Sequence, residues 1–189
     1  MTTARTAPQA GVDAGQALLR WKLGHHAFHL HLATMNTLLL DADSFAESAR
    51  WAELAQALDR LRILYDGATA TMRYAADFSP DMYERLIRPS MAPPFTSPGF
   101  SGTLNLEHEM MLDQLGGLRT KLNALSDGDA MPREVQATAV QLWEAQARNR
   151  RNHVLICQRF VPDGKSLLQE FFQARKTSQE LKCQAATED

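Results

Sequence analysis

Four prolines and two glycines fall within the fourteen residues Pro89–Gly102, PSMAPPFTSPGFSG, and neither a continuous helix nor a central strand can run through them. On both sides apolar residues recur at helical spacing. The chain therefore reads as helices up to about Arg88, one long irregular segment, and helices again from about Leu104. Loops of that length inside a compact domain are functional or disordered. Met91, Phe95 and Phe100 favour a packed loop over a linker.

Before the loop, a first helix is expected from about Asp13 to near Asp41, with Leu18, Leu19, Leu23, Leu30, Met35, Leu38 and Leu39 along one side. A second runs from about Phe45 or Ser48 to Ala75 and carries Trp51, Leu54, Leu58, Leu61, Leu64 and Met72. Ser79-Pro80-Asp81 is an N-cap, a proline at the first helical position and an acidic first turn, opening a short helix to about Arg88. After the loop, a helix from about Leu104 to Leu125 ends at Ser126-Asp127-Gly128-Asp129. The next starts at Met131-Pro132, contains His153 and breaks at Pro162-Asp163-Gly164. A last one is expected from about Lys165 to Leu181, burying Leu167, Leu168, Phe171 and Phe172. No strand pattern or internal repeat occurs, so the expected fold class is all-α, a helical bundle. Residues 1–12 read as a disordered arm, 13–181 as a single helical domain and 182–189 as a polar tail.

A formal charge of −2 gives no reason to expect nucleic acid or an anionic membrane as a partner. The two cysteines, Cys157 and Cys183, form no CxxC pattern, which argues against a disulfide framework or a structural zinc and for a reducing cytoplasm. No apolar run reaches membrane-spanning length, and MTTARTAPQAG lacks the apolar core of a secretory signal.

The chemistry concentrates in Trp143 to Gly164, around His153. Leu142, Ala145, Val154, Ile156 and Cys157 fall at roughly helical spacing, and Trp143, Val154 and Phe160 are expected to keep that side dry. A neutral imidazole in a dry helical pocket suits an axial ligand to haem iron, while spacing alone favours a core histidine bonded to a backbone carbonyl. The early helix adds His25-His26-Ala27-Phe28-His29-Leu30-His31, in which His25 and His29 share a face. Other metal patterns fail on spacing. No histidine has a glutamate three residues before it, so no di-iron carboxylate pair exists. His108-Glu109 begins a zincin motif, but Leu112 stands where its second histidine belongs. There is no Gly-rich phosphate loop and no GxSxG elbow.

Leu58, Arg60, Ile63 and Leu64, then Thr71-Met72 and Asp77-Phe78, resemble a helix of tryptophan 2,3-dioxygenases. Gly99-Phe100-Ser101-Gly102 resembles that family's substrate loop, and Arg150-Arg151-Asn152-His153 with Arg159 resembles its proximal haem helix. His25, with His26 as the alternative, falls where the distal-side histidine lies. These matches keep the family's order from about Trp21 to Glu170. The likeness is to the wider superfamily of histidine-ligated, haem-dependent aromatic oxygenases. It implies haem b iron held by His153 with Arg159 at the cofactor, His25 as the catalytic distal residue, and Phe28, Phe95, Phe100, Ser101 and Gly102 around the substrate. It also implies a small aromatic or indole-like substrate, O2 or peroxide, and a homo-oligomer, dimer or tetramer, built through the apolar first helix (Leu18, Leu19, Trp21, Leu23, Phe28).

Two departures shape the expected substrate. Where the family places an arginine for the substrate carboxylate this chain has Leu106, and the family's loop for the substrate ammonium is reduced to Asp163-Gly164-Lys165-Ser166. A leucine cannot replace a guanidinium fork, so free L-tryptophan is not the expected substrate. Leu106 offers an apolar contact instead, with Arg85 or Arg88 as alternative cations. The competing expectation is a non-catalytic helical haem sensor or interaction module.

Overall fold

Asp13 starts the first helix: its carboxylate accepts the Gln16 backbone N–H at 2.8 Å, satisfying one of the donors a helix start leaves unpaired. The structure is a computed structural model and describes residues 13–92, 94–95, 105–128 and 130–161. Helix α1 is Ala14–Glu47, α2 is Trp51–Ala75, α5 is Leu106–Asp127 and α6 is Arg133–Phe160. Between α2 and α5 lies a short compound helix, α3 (Pro80–Met82), a π turn (Tyr83–Ile87) and α4 (Arg88–Ser90). The described residues contain no strand, and none of their helices is long and apolar enough to cross a membrane. The all-α expectation holds. The arm, the last helix and the tail lie outside the described residues.

Helix α1 runs six residues past the expected end at Asp41. Asp41-Ala42-Asp43-Ser44 looks like a stop, yet Ala42 and Ala46 are buried and continue the stripe of Leu32, Met35 and Leu39. Asp43 and Glu47 are held by the Lys121 ammonium at 2.5 and 2.8 Å. The helix ends in a tight reversal. Arg50 N–H donates to the Phe45 carbonyl (2.9 Å) and Ala49 N–H to that of Ala46 (3.3 Å), while Ala49 takes φ 52°. Two nested bonds around a left-handed residue form a Schellman motif, a place that favours glycine.

Ser79 caps the compound helix as expected, accepting the Met82 N–H at 3.2 Å. Its middle widens into a π turn just ahead of Pro89, which has no N–H to continue an α ladder.

The four long helices alternate in direction. Gly24 of α1 lies against Ala75 of α2, and His31 lies against Gly67, so these two are antiparallel. Helix α5 runs parallel to α1, because Asn36 meets Glu107 and Glu47 meets Lys121. Helix α6 runs parallel to α2: Arg148 pairs with Asp66 (3.0 Å), Asn149 with Thr69 (3.0 Å) and Asn152 with Arg73 (2.8 Å). Arg119 joins α5 to α6, bonding Gln146 at 2.9 Å and lying 4.2 Å above the Trp143 ring. One core, with Leu32, Leu39, Leu54, Leu58, Leu61, Leu118, Leu122 and Leu142 almost fully buried, is shared by all four.

Helix α5 is short. It begins beside His29 and Asn36, roughly 20 Å along α1 at the usual rise per residue. Below that level only α1, α2 and α6 continue among the described long helices. A second apolar cluster closes this end, with Ala17, Phe78, Tyr83, Ile87, Met91 and Phe160 buried. Phe160 stacks on Phe78 and Tyr83 with ring centres 5.2 and 4.8 Å away.

Two substitutions test this packing in opposite directions. Ala49→Gly relieves a left-handed residue and is expected to raise the thermal midpoint by a few degrees, about 1 kcal/mol of stability. Gly24→Ala places a Cβ 2.3 Å from that of Ala75 and is expected to cost about 1–3 kcal/mol. Ala75→Gly in the same chain should restore most of that loss. Calorimetric midpoints of the variants check both expectations.

Candidate functional site

Because α5 starts late, the early part of α1 presents a stretch of its α5-facing side with no helix opposite it among the described residues. On α1 that side is marked by Asn36, whose amide donates to the Glu107 carbonyl at 3.1 Å. His29 and His25 stand seven and eleven residues earlier, close to whole numbers of turns, and so share it. On α6 the same side is marked by Gln146, which receives Arg119. His153 and Cys157 follow at seven and eleven residues. The levels agree as well. Gly24 lies beside Ala75, and Asn152 binds Arg73, so His25 and His153 flank the same level of α2, near Tyr74. The two imidazoles thus stand at one level of α2, one on α1 and one on α6, and the space between these two helices is the candidate slot.

The first turn of α5 roofs the slot. Asn105 caps that helix, accepting the His108 N–H at 3.0 Å, and its amide lies 3.3 Å from His29 Nδ1. Glu107 is 3.8 Å from the same nitrogen. Phe28 sits between the His29 and His108 rings, 5.9 and 6.0 Å away. The aromatic cluster around Phe160 forms the floor.

His25 is half-buried and oriented. Its Nδ1 lies 2.7 Å from the Trp21 carbonyl, which can only accept, so the proton resides on Nδ1 and the lone pair on Nε2. The Trp21 ring packs 3.9 Å away. Burial lowers the His25 pKa, outweighing that backbone bond, and the charges of His29 and His26 lower it further. His153 is more open than expected. The residue is exposed, Val154 and Leu155 beside it are 51% and 65% exposed, and Val154 therefore does not keep the site dry. Phe160 is buried, and Trp143 is half-covered by Arg119. Loss of hydration still lowers the His153 pKa. Its Nε2 is 3.7 Å from Cys157 Sγ, whose thiol is pushed up by burial.

Asn152, which sequence patterns did not single out, fixes this part of α6. It is buried, accepts from Arg73 Nε at 2.8 Å and directs its amide at Met72 sulfur at 3.6 Å. A polar residue next to the histidine on a helix with an apolar neighbour was the available signal.

The other expected residues divide. Phe28 reaches the slot. Phe95 is 77% exposed and packs no wall among the described residues. Phe100, Ser101 and Gly102 lie outside them. Arg159 binds the backbone, donating to the Phe78 and Ala76 carbonyls at 2.5 and 3.4 Å, and so secures the turn leaving α2. Leu106 is 80% exposed at the first position of α5. His26 is exposed. No group of three or more His, Cys, Asp or Glu side chains among the described residues could hold a metal ion by itself.

Desolvation holds His25, His31 and His153 below the ordinary histidine value. As pH falls the unfolded chain takes up these protons first, so stability is present above about pH 6.5 and is lost below it. The thermal midpoint is expected to fall on acidification from about pH 7.5 to about 5.5, and less steeply in His25→Gln. A midpoint that stays level or rises across that window contradicts the burial of these rings.

Residues 2–142, from the N-terminal arm through the first third of α6, match the family model described as SfmD 3-methyl-L-tyrosine peroxygenase. The match includes His25 and stops before His153. A 3-methyl-L-tyrosine peroxygenase of Streptomyces lavendulae is 29% identical over 167 residues, covering 84% of this chain and 43% of that protein. The chain thus spans less than half the length of this relative. It belongs to the SfmD 3-methyl-L-tyrosine peroxygenase family.

Proposed function

We propose that this chain forms the haem-binding helical part of an oxygenase that uses peroxide to hydroxylate a tyrosine-like aromatic amino acid. The observation that supports the proposal is the pair His25 and His153, carried by α1 and α6 at one level of α2. The relative's name supplies the substrate class and the oxidant. The likeness of the His153 helix to the haem helix of tryptophan 2,3-dioxygenases supports haem as the cofactor.

The residues present fit such a group. The Trp21 carbonyl holds the ring proton of His25 on Nδ1, which leaves Nε2 as the acceptor on the α1 side. His153 is kept towards the neutral, ligating form by loss of hydration. His153 would hold the iron from α6. Bound haem would supply the activation of peroxide, one of whose oxygens enters an aromatic C–H as a hydroxyl while the other leaves as water. His25 works from the opposite wall. Neutral at pH 7, its Nε2 accepts a proton or hydrogen bond from peroxide or from the substrate phenol. Phe28 and Trp21 give the ring of the substrate apolar contact and exclude water.

The outer face of α1 is a second surface in this proposal. Leu18, Trp21 and Phe28 pack inward, but Leu19, Leu23 and Leu30 are 55%, 46% and 70% exposed along one stripe. Pairing two copies through this stripe would cover it.

Titrating the protein with ferric haem is expected to give a Soret band that His153→Ala loses and His25→Ala keeps. His25→Ala is expected to lose peroxide-dependent hydroxylation of 3-methyl-L-tyrosine by about a hundredfold or more. An unchanged Soret band in His153→Ala overturns the ligand assignment, and full activity in His25→Ala overturns its role. Sedimentation equilibrium at micromolar concentration is expected to show at least a dimer, converted to monomer by Leu23→Glu with Leu30→Glu. A wild-type monomer refutes the pairing.

A further inference from the structure

We propose that Arg150 is the residue of the slot that binds a carboxylate. It stands four residues after Gln146 and three before His153, on the same side of α6 and one turn nearer the roof. The nearby arginines have their acceptors. Arg73 is bound to Asn152, Arg119 to Gln146, Arg148 to Asp66 and Arg159 to two backbone carbonyls. Arg85 and Arg88, the cations weighed above for a carboxylate, pair with Asp81 and Glu84. Arg150 makes no hydrogen bond or ion pair among the described residues, and it lies one turn before His153 on an exposed part of α6. Its charge nevertheless reaches inward. Burial pushes the Tyr65 hydroxyl up to about 12, and Arg150 and Arg119 both act against that rise. Arg60, Arg133 and Arg151 are also without such bonds among the described residues. Arg60 and Arg133 lie towards the other end of the bundle, and Arg151 is turned a further third of a turn from the slot.

A guanidinium held at the rim of a cavity selects a planar, two-oxygen anion. The exposed position of Leu106 leaves that task open. Two occupants of the proposed site carry such a group: the propionates of haem and the α-carboxylate of an amino acid. The inference thus rests on the functional proposal above for its ligands, and on the geometry of α6 for its residue. Arg150 is exposed, so its replacement leaves the core intact.

Wild type, Arg150→Ala and Arg150→Lys are titrated with four probes. These are haem and haem dimethyl ester, followed by the Soret band, and 3-methyl-L-tyrosine and its decarboxylated amine, followed by calorimetry. If Arg150 holds a propionate, Arg150→Ala binds haem about tenfold to a hundredfold more weakly. The dimethyl ester then binds both proteins alike. If it holds the substrate, the same loss appears for 3-methyl-L-tyrosine and not for the amine. Arg150→Lys recovers part of the affinity in either case. Equal affinities of wild type and Arg150→Ala for all four probes overturn the role of Arg150 while leaving haem binding intact. Arg150-dependent binding of 3-methyl-L-tyrosine without any Soret band sustains Arg150 and removes the haem proposal. A wild type that binds none of the four removes both.

Discussion

The contact between Gly24 and Ala75 sets the distance between α1 and α2 at the level where the chemistry is placed. A side chain on Gly24 would meet Ala75 Cβ at 2.3 Å, so the two backbones approach as closely as they do only because one has no Cβ and the other only a methyl. His25 follows Gly24 directly, and its orientation derives from this packing and from the Trp21 carbonyl one turn below. Gly67 against His31 repeats the arrangement two turns higher, with the imidazole ring lying 3.4 Å from where a Cβ would stand. The early histidines are therefore positioned by small residues on the neighbouring helix.

On the other wall the register is fixed by polar contacts. Asp66 with Arg148, Thr69 with Asn149 and Arg73 with Asn152 form a ladder that aligns α2 with α6. The half-exposed ion pair adds little stability. The bond to Asn152 matters more, since losing Arg73 would leave the buried side-chain carbonyl of Asn152 without its donor. Such bonds choose one register among several that apolar packing alone would tolerate. That choice puts His153 level with His25.

The helices were legible in the sequence because their apolar stripes are long and their starts are chemically marked, as at Asp13, Ser79 and Pro132. The end of α1 was not. Asp41 to Ser44 carry the residue types of a turn, and the burial of Ala42 and Ala46 together with the partnership with Lys121 on α5 keeps them helical. The histidines were visible as candidates, but the slot between them depends on how far along α1 the short helix α5 begins. That offset is a tertiary quantity, written in the Asn36 and Lys121 contacts rather than in any local pattern. Leu106 and Val154 illustrate the same limit: an apolar residue at a motif position says nothing of its direction, and both face outward. Arg150 is visible in the sequence only as part of the run Arg150-Arg151-Asn152-His153, and its distinction is the absence of an acceptor among the described residues.

The proposal that His25 and His153 serve one haem slot can be tested without catalysis. Protein carrying ¹⁵N-labelled histidine is titrated with zinc protoporphyrin, a diamagnetic ligand, and the imidazole resonances are followed by NMR. The ring signals of His25 and His153 are expected to move together and saturate at the same ratio, while that of exposed His26 stays in place. Movement of one histidine without the other, or of His26 in place of both, would contradict the shared slot.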